Sequence, residues 1–190
     1  REDQWIRAVA DTVRAFGRLD GLLNAAGVGV RNDIESCTLE EYRRVNDINS
    51  MGTFLGCKHA VPAMKKTGGG SIVNISSVLG LRGAAQAVAY CASKGAVRTL
   101  TKNVALYGAL MKLNIRCNSV HPGYIETSMI APRLDAPVGN MSGRQWLEEL
   151  HPMGRLGQPR EVADMIVFLL SDESSFSTGS EFVCDGGLTA

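Results

Sequence analysis

The stretch Gly70-Ser-Ile-Val-Asn-Ile-Ser-Ser77, together with the downstream run Tyr90-Cys-Ala-Ser-Lys94, determines how the rest of the chain is interpreted. The first run is apolar and predicts a strand that ends in two hydroxyl groups, and the second lies in a predicted helix. Tyr90 and Lys94 are separated by one helical turn, so their side chains share a face of that helix. If Ser77 points to the same place, the three polar groups outline a proton-transfer site.

Outside this stretch, the sequence predicts helices that alternate with apolar strands. The helices are expected at residues 5–16, 38–65, 88–111 and 159–170, and the second opens with the capping box Thr38-Leu-Glu-Glu41. The strands are expected at residues 19–24, 71–77, 114–121 and 180–185, with an irregular segment at residues 127–157. Uninterrupted apolar strands between helices are typical of a parallel sheet covered on both faces. We therefore predict one α/β domain over residues 1–190, with a doubly wound, Rossmann-like parallel sheet of about four strands.

Small and polar residues follow each predicted strand. They are Asn24–Gly27, Ser76–Ser77, Pro122–Gly123 and Asp185–Gly187. In open parallel sheets, ligands bind beyond the carboxyl ends of the strands. The sequence therefore places a ligand site at this edge of the sheet.

The composition excludes several classes of protein. The chain has 190 residues, a net charge of +1, 45% apolar residues and 21% charged residues, which are ordinary values for a globular domain. This balance gives no reason to expect a nucleic acid or a membrane as a partner. Five dispersed cysteines, three scattered histidines and the lack of a secretory signal favour a cytoplasmic protein with reduced thiols and no metal site.

Six motifs, in order, resemble the short-chain dehydrogenase/reductase family in its single-domain branch. They are Asn24-Ala-Ala-Gly27, Val45-Asn-Asp-Ile-Asn49, Ser71–Ser77, Tyr90–Lys94, Asn118-Ser-Val-His-Pro-Gly123 with Thr127, and Asp185-Gly-Gly187. A lone Tyr-x-x-x-Lys is weak, but the set spans essentially the whole chain. The resemblance implies NAD or NADP as the cofactor, an alcohol or ketone as the small-molecule substrate, and a homo-oligomer, either a dimer or a tetramer.

One family feature has no match in the chain. Family members open with a glycine-rich turn, Gly-x-x-x-Gly-x-Gly, whose backbone N–H groups hold the cofactor pyrophosphate at a helix N-terminus. The resemblance therefore implies that residues 1–190 correspond to the C-terminal part of the family domain and belong to a larger polypeptide. We expect an open apolar sheet edge at residues 19–24. The family residue that selects NAD or NADP precedes the matched motifs, so both cofactors stay open.

The proton-transfer site needs a base for an alcohol proton. Free tyrosine has a pKa near ~10, and a neighbouring ammonium together with a cationic nicotinamide ring would lower it. We predict Tyr90 as the general acid/base, Lys94 as the group that lowers its pKa, and Ser77 as a hydrogen-bond partner of the substrate oxygen. The resemblance adds that Lys94 holds the nicotinamide ribose and that Asn49, in preference to Asn46, holds a water in the proton relay. Taken singly, the same residues also fit a strand cap, a surface pair and a helix–loop hydrogen bond.

The resemblance also implies a set of cofactor contacts. Small residues would let the cofactor approach the backbone, a Pro-Gly turn would lie under the nicotinamide, and two further residues would contact its carboxamide and phosphate. The predicted contacts are Asn24, Ala25, Gly27, Tyr90, Lys94, Pro122, Gly123, Ile125 and Thr127. For Asp185 and the two glycines after it, we favour a structural turn.

The segment after Thr127 bears on the substrate. In the family it forms a lid, and its apolar residues here either contact a hydrophobic substrate or pack the lid down. They are Met129, Ile130, Leu134, Met141, Trp146 and Leu147. We favour a hydroxysteroid or cyclic alcohol dehydrogenase. A 3-oxoacyl carrier-protein reductase is the enzyme alternative, with Arg133 and Arg155 as candidate contacts for an acidic carrier. A non-catalytic scaffold, a regulatory protein or an inactive fragment without the phosphate loop is the alternative from another class.

Overall fold

The computed structural model describes residues 1–190 as one alternation of helices and strands. The strands are β1 (Gly21–Asn24), β2 (Gly70–Ile75), β3 (Ile115–Pro122), β4 (Pro137–Val138), β5 (Met141–Ser142) and β6 (Glu181–Cys184). The helices are α1 (Glu2–Phe16), α2 (Leu39–Asn46), α3 (Gly52–Lys66), α4 (Val88–Leu110), α5 (Ala131–Leu134), α6 (Gly143–Glu149) and α7 (Pro159–Leu170). None of these helices is long and apolar enough to cross a membrane.

Four strands form a parallel sheet in the order β1-β2-β3-β6. On one face, α3 and α4 cover a core whose buried members include Met64, Ile72 and Ala105. On the other face, Leu169 of α7 packs between Val73 and Val120. Helices on both faces of a four-stranded parallel sheet confirm the predicted doubly wound, Rossmann-like architecture. All four carboxyl ends consequently lie at one edge, which places the candidate site there.

Several predicted boundaries differ from the structure. β1 begins at Gly21 and not at residue 19. Its residues alternate between exposed and buried, so the prediction of an uninterrupted apolar strand was wrong there. This alternation arises because β1 is an edge strand with β2 as its one neighbour, and Leu23 is 41% exposed. The helix predicted over residues 38–65 contains a π-helical turn, Asp47–Met51, between α2 and α3.

The segment predicted as irregular, residues 127–157, contains regular structure. It holds α5, the antiparallel pair of β4 and β5, and α6. A second capping box opens α6, because the Ser142 hydroxyl accepts from the Gln145 N–H at 3.2 Å while the Gln145 side chain accepts from the Ser142 N–H at 3.0 Å. We call residues 127–157 the lid from here on.

Candidate active site

Ser77, Tyr90 and Lys94 line one cavity of about 620 Å³, and we call these three residues the strand-end wall. β2 ends at Ile75, and Ser77 caps the short 3₁₀ turn Val78–Gly80, its hydroxyl accepting from the Leu79 N–H at 3.1 Å. α4 begins at Val88, so Tyr90 lies in its first turn and Lys94 in the next. The structure therefore brings together the three residues that the sequence predicted to converge.

Two hydrogen bonds fix α4 against the end of β2. Lys94 Nζ donates to the Ile75 carbonyl at 2.8 Å, and the Ser76 hydroxyl donates to the Lys94 backbone carbonyl at 2.9 Å. The Lys94 side chain is buried, and this burial lowers its pKa to about 8. Lys94 is thus held in one place in the cavity wall.

The acidity of Tyr90 differs from the prediction. Burial raises the pKa of the phenol, whereas a hydrogen bond from Ser77 and the charge of Arg133 lower it. Lys94 is not among the groups that lower this pKa. Its Nζ lies 5.7 Å from the centre of the Tyr90 ring and is bonded to a strand carbonyl. The predicted depression of the Tyr90 pKa by Lys94 is therefore wrong for the chain by itself, because loss of hydration is the larger effect.

Asn49 lies behind the strand-end wall and does not line the cavity. It sits fully buried in the π-helical turn, where its amide donates to the Val28 carbonyl and to the Ser93 hydroxyl, both at 2.9 Å. Its oxygen accepts from the Val28 N–H at 2.8 Å. The side chain thus holds the loop after β1 against α4. The rival, Asn46, bonds the Tyr42 carbonyl of its own helix at 2.9 Å.

Most of the predicted cofactor contacts line the same cavity. Those that do so, beside Tyr90 and Lys94, are Ala25, Gly27, Pro122, Gly123, Ile125 and Thr127. Asn24 is the exception. Its amide donates to the Asn74 oxygen at 2.8 Å and its own oxygen lies against Gly56, so it belongs to a buried network under α3. Alternation along β1 turns the Asn24 side chain inward, so any contact of Asn24 with the cofactor would be made by its backbone, and that contact stays a prediction.

The glycines after β1 create room for a flat ligand beside the strand-end wall. A Cβ at Gly27 would lie 3.4 Å from both the Asn49 oxygen and Lys94 Nζ, and a Cβ at Gly29 would lie 3.6 Å from the Tyr90 ring. Side chains at these two positions would occupy the space over the tyrosine and the lysine. The residues present therefore fit the nicotinamide end of a dinucleotide.

The lid forms the opposite wall of the cavity. Met129 and Ile130 line the cavity, whereas Leu134, Trp146 and Leu147 belong to a cluster that packs the lid together. Ile130 also belongs to that cluster, so packing of the lid accounts for part of the segment, and contact with a hydrophobic substrate stays a prediction. At the base of the lid, the Glu126 carboxylate pairs with Arg144 and accepts from Gln158 at 3.0 Å.

Sequence reasoning missed His121, which supports Ser77 from below. The ring is fully buried, and burial lowers its pKa, which favours the neutral form. Its Nδ1 donates to the Ser77 carbonyl at 3.1 Å, and its Nε2 accepts from the Ser119 hydroxyl at 2.8 Å. A histidine at the buried end of a strand, directly before Pro122-Gly123, was the signal that could have revealed it.

Other predictions concern residues away from the strand-end wall. Asp185 forms the favoured structural turn, since its carboxylate accepts from the N–H groups of Gly187 at 3.0 Å and Thr189 at 2.9 Å. Arg155 lines a separate cavity of about 330 Å³ and bonds Glu161 at 2.6 Å. No three histidine, cysteine or acidic side chains lie close enough together to hold a metal ion.

Comparison with known proteins adds an independent line of support. A family profile described as "Enoyl-(Acyl carrier protein) reductase" matches residues 1–189. The chain is 45% identical over 188 residues to the trans-4-hydroxycyclohexanecarboxylate dehydrogenase of Sinomonas cyclohexanicum, with 99% of this chain and 67% of that protein covered. It is 46% identical over 189 residues to the cyclopentanol dehydrogenase of Comamonas testosteroni, with 100% and 73% covered.

The fold comparison agrees with the sequence comparison. The structure of ligand-free aldohexose dehydrogenase from Thermoplasma acidophilum superposes with a TM-score of 0.92 at 37% identity. The alignment covers 100% of this chain and 75% of that chain.

Proposed function

The chain belongs to the short-chain dehydrogenase/reductase family, and on this basis we propose that it interconverts a hydrophobic cyclic secondary alcohol and its ketone. An NAD- or NADP-dependent oxidoreductase of secondary alcohols and ketones is the function common to this assignment and to the named relatives. The observation that carries the proposal is the convergence of Ser77, Tyr90 and Lys94 on one cavity. The largely apolar lining and two relatives named for cyclic alcohols support the narrower substrate class.

In this proposal the cofactor is held by cavity residues that follow β1 and β3 and by one residue of α4. Ala25 and Gly27 would admit it against the backbone, Lys94 would bond its ribose, and Gly123 and Thr127 would flank its carboxamide end. NAD or NADP, when bound, supplies the acceptor or donor of the hydride. The chain's own residues handle the proton.

Tyr90 is the proposed general acid/base, because its phenol lines the cavity beside the substrate space. During oxidation the alcohol proton moves to the Tyr90 oxygen, and during reduction the same oxygen returns it. Ser77, which also lowers the pKa of Tyr90, donates to the substrate oxygen as negative charge develops there. Asn49 positions the loop beside these groups, and the water relay assigned to it stays a prediction.

The two alternatives have less support. A 3-oxoacyl carrier-protein reductase shares the carrier protein, but not the reaction, with the description of the matching profile, which names an enoyl reductase. Of its two candidate carrier contacts, Arg155 is bonded to Glu161, which leaves Arg133 alone. A non-catalytic scaffold gives no reason for a buried Lys94 that is bonded to a strand carbonyl and lines a cavity. The experiment below measures turnover and cofactor affinity in the same variants. Comparing the two quantities separates these possibilities.

We also propose that the protein acts as a homo-oligomer, a dimer or tetramer, in the cytoplasm. The exposed apolar residues Phe54 of α3 and Leu106 and Leu110 of α4 support pairing between copies. The five free cysteines support a reducing location. Light scattering tests the assembly, and a monodisperse monomer at micromolar concentration would contradict it.

The decisive test compares two tyrosine substitutions. Tyr90→Phe should lower the turnover of cyclohexanol or cyclohexanone by about a hundredfold to ten-thousandfold, the usual contribution of a general acid/base, with a much smaller change in NAD or NADP affinity. Tyr42→Phe removes the hydroxyl of an exposed tyrosine on α2 and serves as the matched control. Turnover by Tyr90→Phe equal to that of Tyr42→Phe would disprove the assignment.

A further inference from the structure

The cavity carries positive charge without any negative charge. Its cationic lining residues are Arg31, Lys94 and Arg133, and no aspartate or glutamate lines it. Lys94 is bonded to the Ile75 carbonyl. The two arginines come from different parts of the chain, one from the segment after β1 and one from α5. The lining is therefore apolar with a cationic bias, which is an unusual environment for a neutral alcohol.

Arg133 stands apart from the other arginines of the chain. Four arginines are half-buried, and three of them have partners: Arg98 bonds Glu181, Arg144 pairs with Glu126, and Arg116 bonds backbone carbonyls of the segment after α7. The guanidinium of Arg133 has no hydrogen bond and no acidic partner in the chain. Partial burial of an unpaired charge is unfavourable, and a bound anion would remove that penalty.

The backbone of Arg133 is well fixed, so this arrangement is built into the lid. Its N–H donates to the Ile130 carbonyl at 2.8 Å. Its carbonyl lies so close to Gly143 that any side chain at that glycine would collide with it. The side chain lines the cavity, and its charge is one of the smaller effects that oppose the rise of the Tyr90 pKa caused by burial.

We propose that the substrate carries a carboxylate, and that Arg133 binds this group while the carbinol carbon lies at Tyr90. This proposal rests on the proposed function and narrows its substrate class to hydroxy and oxo acids with an apolar ring. A guanidinium presents paired N–H donors that match a carboxylate, and such charge-assisted bonds are the strong ones. The apolar lining residues Leu79, Met129 and Ile130 would face the ring between the two polar ends.

Arg31 is the second contact in this proposal. Its Nε donates to the Gln86 side chain at 2.7 Å, which orients the guanidinium and leaves its terminal nitrogens free. Arg31 is exposed and its charge does not reach Tyr90. It therefore attracts the anion at the cavity entrance, with a smaller effect than Arg133 and a stronger dependence on salt.

The test is a ratio of kcat/KM values for two substrates in a set of variants of the full-length protein. The kcat/KM for 4-oxocyclohexanecarboxylate should exceed that for its methyl ester by about tenfold or more, as expected for a charge-assisted bond. Arg133→Met should reduce this ratio about tenfold, Arg133→Lys should restore part of it, and Arg31→Met should reduce it less. Arg7→Met, a matched change at an exposed arginine of α1, is the control. Equal kcat/KM for acid and ester, or an unchanged ratio in Arg133→Met, would overturn the proposal.

Binding measurements separate this proposal from the proposed function. Calorimetry with cyclohexanecarboxylate and cyclohexanecarboxamide needs no turnover, and the acid should bind about tenfold more tightly, with the difference lost in Arg133→Met. If no ketone is reduced, the proposed function fails while this comparison still decides the role of Arg133. An equal loss of NADH and carboxylate affinity in Arg133→Met would place the arginine on the cofactor phosphates and overturn the inference.

Discussion

The strand-end wall and the lid face each other across one cavity, but their side chains are held in different ways. Lys94 is fixed by a bond from its Nζ to the Ile75 carbonyl at the end of β2, and Ser77 is fixed by bonds to the Leu79 N–H and the His121 ring. The lid consists of two short helices and a two-residue hairpin. It is held by a small apolar cluster and by the Glu126–Arg144 pair at its base.

This difference separates chemistry from selection of the substrate. A general acid/base works only at a fixed distance from the reacting atom, so rigid elements suit the strand-end wall. The lid contributes apolar residues and Arg133, which set what the cavity accepts. We therefore expect changes in the strand-end wall to lower kcat, and changes in the lid to raise KM.

The largest effect on stability is expected where the strand-end wall is supported from behind. Asn49→Leu would leave the Val28 N–H and carbonyl without partners and would remove one of the two bonds of the Ser93 hydroxyl. Each unpaired buried group is unfavourable, so we expect a loss of about 3–5 kcal/mol in the free energy of unfolding, measured in urea. Asn46→Leu is the control, with a loss below about 1 kcal/mol, because its side chain bonds only its own helix. Similar losses in the two variants would contradict the supporting role of Asn49.

A comparable change in the lid should be smaller and should show a different kinetic signature. Gly143→Ala would place a methyl group against the carbonyl of Arg133, so α5 and α6 must separate. We expect a loss of about 2–3 kcal/mol in the free energy of unfolding and a rise in KM that exceeds the fall in kcat.

Gly83→Ala is the matched control for the lid variant, since no atom lies within 4 Å of a methyl group there. Its stability should change by less than about 1 kcal/mol. A Gly143→Ala variant with normal KM and reduced kcat would contradict the division of labour between the two walls.

The two walls also differ in how well the sequence predicted them. Ser77, Tyr90 and Lys94 were predictable because a strand end and one helical turn fix their positions through local geometry. The lid depends on contacts such as that between Gly143 and Arg133. The folding of the chain brings these two residues together, and hydrophobic periodicity does not reveal it. The capping box at Ser142 was a local signal that was available for α6.

Two features of the strand-end region have tertiary causes. The inward turn of Asn24 depends on which residue starts β1, because side chains of a strand alternate between its faces. The raised pKa of Tyr90 depends on how much of the phenol is buried, and residue types alone do not give that quantity. The grouping of Ser77, Tyr90 and Lys94 depends on their spacing in the sequence and was predicted correctly. The pKa of Tyr90 depends on burial, and its direction was predicted wrongly for the chain by itself.

The buried ammonium of Lys94 provides a pH test of the strand-end wall. Its pKa is about 8 in the folded chain, and the unfolded value is near ~10.4. Between these values the unfolded chain binds the additional proton, so stability should rise with pH relative to Lys94→Met. We expect a relative gain of about 2 kcal/mol between pH 7.5 and pH 9.5, and no change below about pH 7. A difference between the two proteins that is flat across this range would show that Lys94 is hydrated.

The smallest effect is expected at the base of the lid, where Glu126 pairs with Arg144 in an exposed position. Arg144 lowers the pKa of Glu126, so the pair persists in mild acid and is lost only below the ordinary carboxyl range, where protonation and Glu126→Gln should act alike. Because water screens exposed charges, stability should hardly change, and hydrogen exchange in α6 should rise only a few-fold. Glu149→Gln, a change at an exposed residue of the same helix without an ion pair, is the control. If exchange instead rose as much as in Gly143→Ala, the lid would be held mainly by charge, and added salt would have to open it in the unaltered chain.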